Sequence, residues 1–207
     1  MAADALPADW QQVPVLTGRH ARLVPMSRDH VDGVRAALAG DALAALWFTS
    51  VPKADEAANY VDAVLAAQGE GRVLPFVVLD ANGRVVGSTR YYGMEADVPK
   101  LSIGYTWYAP DVQRTAINTE TKLLLLTHAF ETLACISVVF ETSWFNQRSR
   151  AAIARLGAKQ DGVLRNHKRH ADGSPRDTVI FSIVDSEWPA VKRDLQAKLA
   201  QHEQDSP

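Results

Sequence analysis

The chain has 207 residues, 47% apolar and 22% charged, with a formal net charge of −2 and a pI near 6.3. That is enough apolar material for one full core and describes an ordinary globular domain. The charge balance argues against a polyanion such as nucleic acid, or an anionic membrane, as partner, and no apolar run approaches the ~18 residues of a membrane span.

Residues 1–18 show little periodicity and carry Pro7 and Pro14. They lack the basic and apolar regions of a secretory signal and read as an arm pinned by Trp10. Arg19–Met26 alternates as a first strand. Ser27 caps a helix to about Ala39, with Asp29 in its first turn. The segment LAALWFTSVPK fits neither period, and Pro52 stops any helix there. A second helix spans Asp55–Gln68, with Ala58, Val61, Ala63 and Leu65 as its apolar face.

From Val73 the period becomes two. LPFVVLD and RVVGSTRYY flank the turn Asp80–Gly83 and form a hairpin. LSIGYTWY follows the break at Asp97–Pro99 as a further strand. The loop QRTAIN then opens onto a helix from about Thr119 to Leu133, with Thr119 as cap and Leu123, Leu126, Phe130 and Leu133 at helical spacing. Ile136–Ser143 is a strand with Cys135, the one cysteine, buried before it. A lone cysteine forms no intrachain disulfide, which fits a reducing compartment, and a cytoplasmic location is expected. The next helix opens N-Q-R-S, places Ser149, Ala152, Ile153 and Leu156 on one face, and ends at Gly157. A hairpin turning at Asp172–Gly173 and a helix from Ser186 to about Gln201 complete the chain. The fold class is α/β in the mixed α+β sense: a mixed, largely antiparallel central sheet flanked by helices. The expected organisation is an arm (1–18), one domain (19–195), and a helix end with tail (196–207).

A helix starting at the end of a strand, behind a loop of small residues, presents unpaired N–H groups and a positive dipole end. That suits a phosphate-bearing ligand. No lysine follows the loop as a P-loop requires, and the G-x-G-x-x-G pattern is missing, so a nucleotide-binding protein of another fold is the weaker reading.

The order of elements, with Q-R-T-A-I-N, I-G-Y-T-W, N-Q-R-S, the L-G that closes that helix and the later D-G-x-x-R-D-T, resembles the GNAT acyltransferase superfamily. Within it the chain looks most like the RimJ/RimL-type branch, which acetylates ribosomal-protein N-termini among other amines. The resemblance runs over roughly Thr17–Leu195. It implies an acetyl-coenzyme A-dependent N-acetyltransferase in which a primary amine, on a protein N-terminus or a small molecule, attacks the thioester directly in a ternary complex. The family's phosphate loop has the form Q/R-x-x-G-x-G/A, met here by Gln113, Ala116 and Asn118. Alanine is nearly as small as glycine, and asparagine tolerates unusual backbone angles. Gln113, Arg114, Thr115, Ala116, Ile117, Asn118 and Thr119 are thus the expected pyrophosphate cradle. Asn146 and Ser149 face the pantetheine arm, and the strand holding Trp107 offers backbone groups to it.

Relatives often carry a tyrosine at the position of Ile153 to protonate the departing thiolate. Ser149 is the remaining hydroxyl on that helix and takes this role. Relatives often have glutamate where Ser102 stands, which leaves the general base open between Glu141, His167 and a water chain. Glu141 also reads as an ordinary salt-bridge residue, and His167 as an exposed hairpin residue. His167 and His170 would point to opposite faces of a strand, so no metal site is expected. Trp47, Phe48, Tyr60, Tyr91 and Tyr92 fall in segments that line the family's acceptor cleft. The partner expected is the amine acceptor, not a membrane or nucleic acid, and a homodimer is compatible with the sequence. A catalytically impaired coenzyme A-binding module of the same fold is the alternative, suggested by Ala116, Asn118, Ser102 and Ile153.

Overall fold

The computed structural model describes residues 6–40 and 45–204. Leu43 and Ala44 of the aperiodic segment, and the outer ends of the expected arm and tail, lie outside the described residues. The elements in chain order are β1 (Leu16–Thr17), β2 (Ala21–Pro25), α1 (Val31–Ala37), α2 (Ala57–Gly69), β3 (Val73–Asp80), β4 (Val85–Glu95) and β5 (Lys100–Tyr108). Then come α3 (Ala116–Thr127), β6 (Ser137–Ser143), α4 (Gln147–Arg155), β7 (Lys159–Arg169), β8 (Pro175–Val184) and α5 (Trp188–Gln204). Among the described residues no helix is long and apolar enough to cross a membrane.

One eight-stranded sheet runs β1-β2-β3-β4-β5-β6-β8-β7. Every neighbouring pair is antiparallel except β5 and β6, which are parallel. That pairing is short: Lys100, Leu101 and Ser102 face Ser137, Val138 and Val139, and nothing beyond. β5 continues to Tyr108 beside β4, while β6 continues to Ser143 beside β8. A wedge therefore opens between the two strands toward their C-terminal ends.

Helices cover both faces. On one, Gly33 of α1 meets Val85, and Tyr60 of α2 bonds to Ser88 of β4 and Trp107 of β5. On the other, the Tyr91 hydroxyl donates to the Leu125 carbonyl of α3 at 2.7 Å, and Phe130 stacks on Trp188 of α5. Tyr91 is wholly buried there, so of the two adjacent tyrosines expected near the acceptor it does not face the α2 side.

Most expected elements are present, with instructive corrections. β1 is two residues long, too short to carry a period. Trp10 is buried in the core, as expected of an anchor. The buried face of α2 is Ala57, Val61, Val64 and Ala67, and Ala63 points to solvent. In an alanine-rich helix several faces look similar, and contact with the sheet chooses among them. In α4, Ala152 is exposed, while Ile153 and Leu156 are buried.

The larger correction concerns α3. It starts at Ala116, not Thr119, and its cap is Thr115, whose hydroxyl accepts from the Ile117 N–H at 3.4 Å. Thr119 is buried in the first turns and accepts from Arg155 at 3.3 Å. Thr119 to Lys122 are all buried although all are polar. The Glu120 carboxylate accepts the N–H groups of Arg19 (2.9 Å), His20 (2.6 Å) and Ala21 (2.6 Å), clamping the turn between β1 and β2. Gly18 makes room for this, since a Cβ there would lie 2.4 Å from the Glu120 carboxyl carbon. Lys122 donates to Thr106 of β5 at 2.8 Å, and burial lowers its pKa to about 7. Cys135 is buried and free, its thiol pushed up to about 12 by desolvation.

Candidate functional site

Two helix starts flank the mouth of the wedge. α3 begins directly after a short helical turn at Pro110–Val112, and Arg114 between them has φ +67°. That left-handed geometry is uncommon for a side chain with a Cβ and folds the loop back on the helix start. The Thr115 hydroxyl also donates to the Val112 carbonyl at 2.7 Å. The N–H groups of the first turn have no intrahelical acceptors, which suits an anion.

α4 starts after Asn146, whose side chain accepts from the Ser149 N–H at 3.0 Å, as its cap role requires. Arg148 reaches across to Gln113 at 2.8 Å, and Gln113 donates to the Tyr108 carbonyl at 3.1 Å. Arg155 ties α4 to Thr119 on α3. The two helices are thus cross-linked at both ends of α4. The Ser149 hydroxyl is half-buried and makes no hydrogen bond among the described residues. The structure brings together residues 113–119, Asn146 and Ser149, which lie far apart in sequence.

Between these helices, Ile103–Trp107 of β5 are paired to β4 only, so their other edge is free. A free strand edge at a splay, ending at two helix N-termini, fits a long ligand with amides along its arm and phosphates at its end. The Trp107 indole is buried on the α2 face, donating to the Tyr60 hydroxyl at 3.4 Å. Its contact with such a ligand would therefore run through the backbone.

The proposed bases are separated. Glu141 on β6 pairs with Lys168 of β7 at 2.5 Å and lies close enough to Tyr92 to help raise that phenol's pKa, second to burial. His167 is exposed and its side chain makes no hydrogen bond among the described residues. His170 is buried against Trp47, ring centroids 4.7 Å apart. The two differ because His170 lies past the end of β7, in the hairpin turn, and the strand register shifts between Leu164 and Lys168, so simple alternation does not apply. Tyr92 lies across Gly104 of β5, where a Cβ would come 2.8 Å from its ring.

Beside α2 lies a cavity of about 500 Å³ whose lining includes Trp47, Ser50, Pro52, Glu56, Asn59 and Tyr60. Trp47 also packs on Phe145 at 5.3 Å, so the segment before α2 touches the loop before α4. β5 carries a bulge here, and Tyr105 sits at φ +51° with its ring 5.2 Å from that of Tyr92. Arg90 of β4 lies beneath Tyr105, its guanidinium carbon 4.2 Å from the ring centroid. Sequence reading missed Arg90 and the bulge, since no local pattern announces either.

Residues 20–159, more than half of the chain, match the acetyltransferase (GNAT) domain family. The chain belongs to the GNAT acetyltransferase family. A solved GCN5-related N-acetyltransferase from Brucella melitensis is 30% identical, with a TM-score of 0.83 over 91% of this chain and 86% of that one. Mycobacterium smegmatis RimJ, solved in complex with CoA-disulfide, shares the fold at 21% identity, with a TM-score of 0.75 over 92% of this chain and 96% of that one. A Bacillus subtilis (strain 168) protein, YdaF, provisionally named a ribosomal N-acetyltransferase, is 29% identical over 111 residues, 54% of this chain. That match spans 60% of the length of the relative.

Proposed function

We propose that this GNAT protein is an acetyl-coenzyme A-dependent N-acetyltransferase that acylates a primary amine directly, in a ternary complex of the RimJ/RimL kind. The observation that carries it is the wedge between β5 and β6 with two cross-linked helix N-termini at its mouth. Acetyl-coenzyme A would supply the thioester. The first-turn N–H groups of α3, from Ala116 to Thr119, would hold the pyrophosphate, with Arg114 adding charge. The free edge of β5 and the Asn146 region would hold the pantetheine arm. CoA-bound RimJ shares this fold.

The acceptor would enter from the α2 side, past Tyr60 and Tyr92. Its ammonium must lose a proton before attack, to Glu141, to His167 or through water. As the new C–N bond forms and the C–S bond breaks, the Ser149 hydroxyl would pass a proton to the sulfur and regain one, through water, from the nitrogen that loses its second proton. Such proton transfer contributes about 10²–10⁴-fold. Holding both partners in line supplies much of the remaining acceleration. Cys135 is buried on the far side of this scheme, which needs no covalent enzyme intermediate.

Thermal shift tests the reading. Acetyl-coenzyme A at millimolar concentration should raise the melting temperature, because a ligand of the folded state stabilises it by mass action. Asn118→Pro should remove most of that shift by deleting one N–H from the cradle. Absence of any shift in the wild type would sink the assignment. A shift without thiol release on any amine would favour the impaired binding module.

A further inference from the structure

Arg90 is 8% exposed, yet no carboxylate approaches it among the described residues. A guanidinium has five N–H donors and keeps its charge in a protein. One hydrogen bond is present, from Nη2 to the Tyr60 hydroxyl at 3.2 Å, and Nε is buried with no partner. The surrounding network cannot do more. The Tyr60 hydroxyl donates to Ser88, which donates to the Phe76 carbonyl, and Tyr60 already accepts from Trp107 as well. The Tyr105 and Tyr60 rings, 4.2 and 5.8 Å away, offer cation–π attraction. That attraction is weaker than the cost of burying an unpaired ion.

The surroundings have the same sign. Arg176 of β8 also has a buried Nε with no partner and lies close enough to influence Tyr92. Lys168 offsets the nearby Glu141. Arg72, close to Tyr105 at the rim, is paired with Glu70. Asp55 and Asp62 face solvent, and Glu56, at the cavity edge, has its carboxylate engaged by the Lys53 N–H at 2.8 Å.

We infer that Arg90, which adjoins the cavity through its bond to Tyr60 without lining it, anchors an anion subsite beside the acceptor cleft, and that the amine acceptor carries a carboxylate. This rests on the N-acetyltransferase reading and names its substrate class. The carboxylate can belong to a free amino acid or to an acidic side chain near a peptide N-terminus. Arg90 is the specificity determinant in either case, with Tyr60 and Tyr105 holding its plane.

The test compares twins that differ only in that charge, using the full chain and thiol release as readout. One arm sets serine against serinamide. The other sets a C-terminally amidated Ser-Glu-Ala peptide against Ser-Gln-Ala. We expect kcat/KM at least about tenfold higher for the carboxylate twin in one arm, and the arm that shows it identifies the source. Arg90→Gln should reduce that ratio to about twofold or less while the acetyl-coenzyme A thermal shift persists. Arg90→Lys should restore part of it. Twins within about twofold in the wild type, or a preference undiminished in Arg90→Gln, would overturn the inference.

Calorimetric titration of glutarate against glutaramide covers a variant that fails to fold or an enzyme that accepts none of these amines. With wild type, glutarate binding without glutaramide binding supports the subsite, and equal or no binding overturns it. This readout needs no catalysis, so it separates failure of the subsite from failure of the acetyltransferase assignment, which the thermal shift reports.

Discussion

The two faces of the β4–β5 pair treat buried polarity in opposite ways. On the α3 face, Glu120 takes three backbone donors, Lys122 rests on Thr106, and Tyr91 reaches the Leu125 carbonyl. The groups left over there, such as the Thr121 and Tyr108 hydroxyls, are neutral. On the α2 face a permanent charge, Arg90, is buried with most of its donors idle, under a tyrosine in a left-handed conformation. Glu120, whose acceptors are met inside the chain, holds the architecture together, and Lys122, with one bond, can shed its charge by losing a proton. A guanidinium cannot, so its unmet donors mark a place completed from outside.

The sharpest way to break this comparison is Glu120→Ala. It orphans three donors at once and opens a cavity under the β1–β2 turn. At about 1–3 kcal/mol for each stranded group, the loss should reach about 3 kcal/mol or more, read as a lower urea midpoint. A loss below about 1 kcal/mol would show the clamp to be dispensable.

Lys122→Met tests the same face with the opposite sign. The lysine titrates near pH 7 when folded and near its ordinary 10.5 when unfolded. Between those values the unfolded chain binds the extra proton, so this group makes stability rise with pH across that window. Below about pH 7 its penalty is full and constant. The methionine variant should therefore be more stable than wild type at pH 6, by at most on the order of 4 kcal/mol. The gap should close toward pH 10.5. Denaturation curves at pH 6, 8 and 10 check it, and a pH-independent difference would refute the burial argument.

Ser149→Ala moves the comparison to the site itself. It should lower kcat by about tenfold or more, about 1.4 kcal/mol in the barrier, with little change in KM for acetyl-coenzyme A. An unchanged kcat, with chemistry shown to limit the rate, removes Ser149 from the mechanism. Lys168→Met should do least to the fold. Its pair with Glu141 is partly exposed, so chemical denaturation should register less than about 1 kcal/mol. If Glu141 is the base, losing the lysine beside it should change the acid limb of the pH–rate profile. A shift of the basic limb alone would point elsewhere.

The sequence made legible what is local. The β3–β4 hairpin follows from period two around Asp80–Gly83, and α4 from its Asn146 cap and Gly157. The resemblance of residues 113–118 to the family's phosphate loop is visible because they are contiguous, although the helix starts three positions earlier than expected. Thr119 is a good capping residue by type, but Thr115 is too and lies where the chain turns. The buried Thr119–Lys122 run obscures the apolar stripe of α3, because each polar group is answered by a distant segment. Arg90 was invisible for the same reason. Its meaning depends on Tyr60, thirty residues earlier, and on a bulge at Tyr105 that no residue type specifies.

The three-residue pairing of β5 with β6 has a mechanical consequence. Between the half of the sheet ending at β5 and the half beginning at β6, it is the only ladder of backbone hydrogen bonds among the described residues. Helix packing across the sheet must carry the rest of the cooperativity. The amides of Gly104 to Trp107 on the free edge belong among the faster-exchanging strand positions of the interior. A ligand running along that edge would act as a ninth strand. Slowed exchange there would then register the joining of two half-sheets into one cooperative unit.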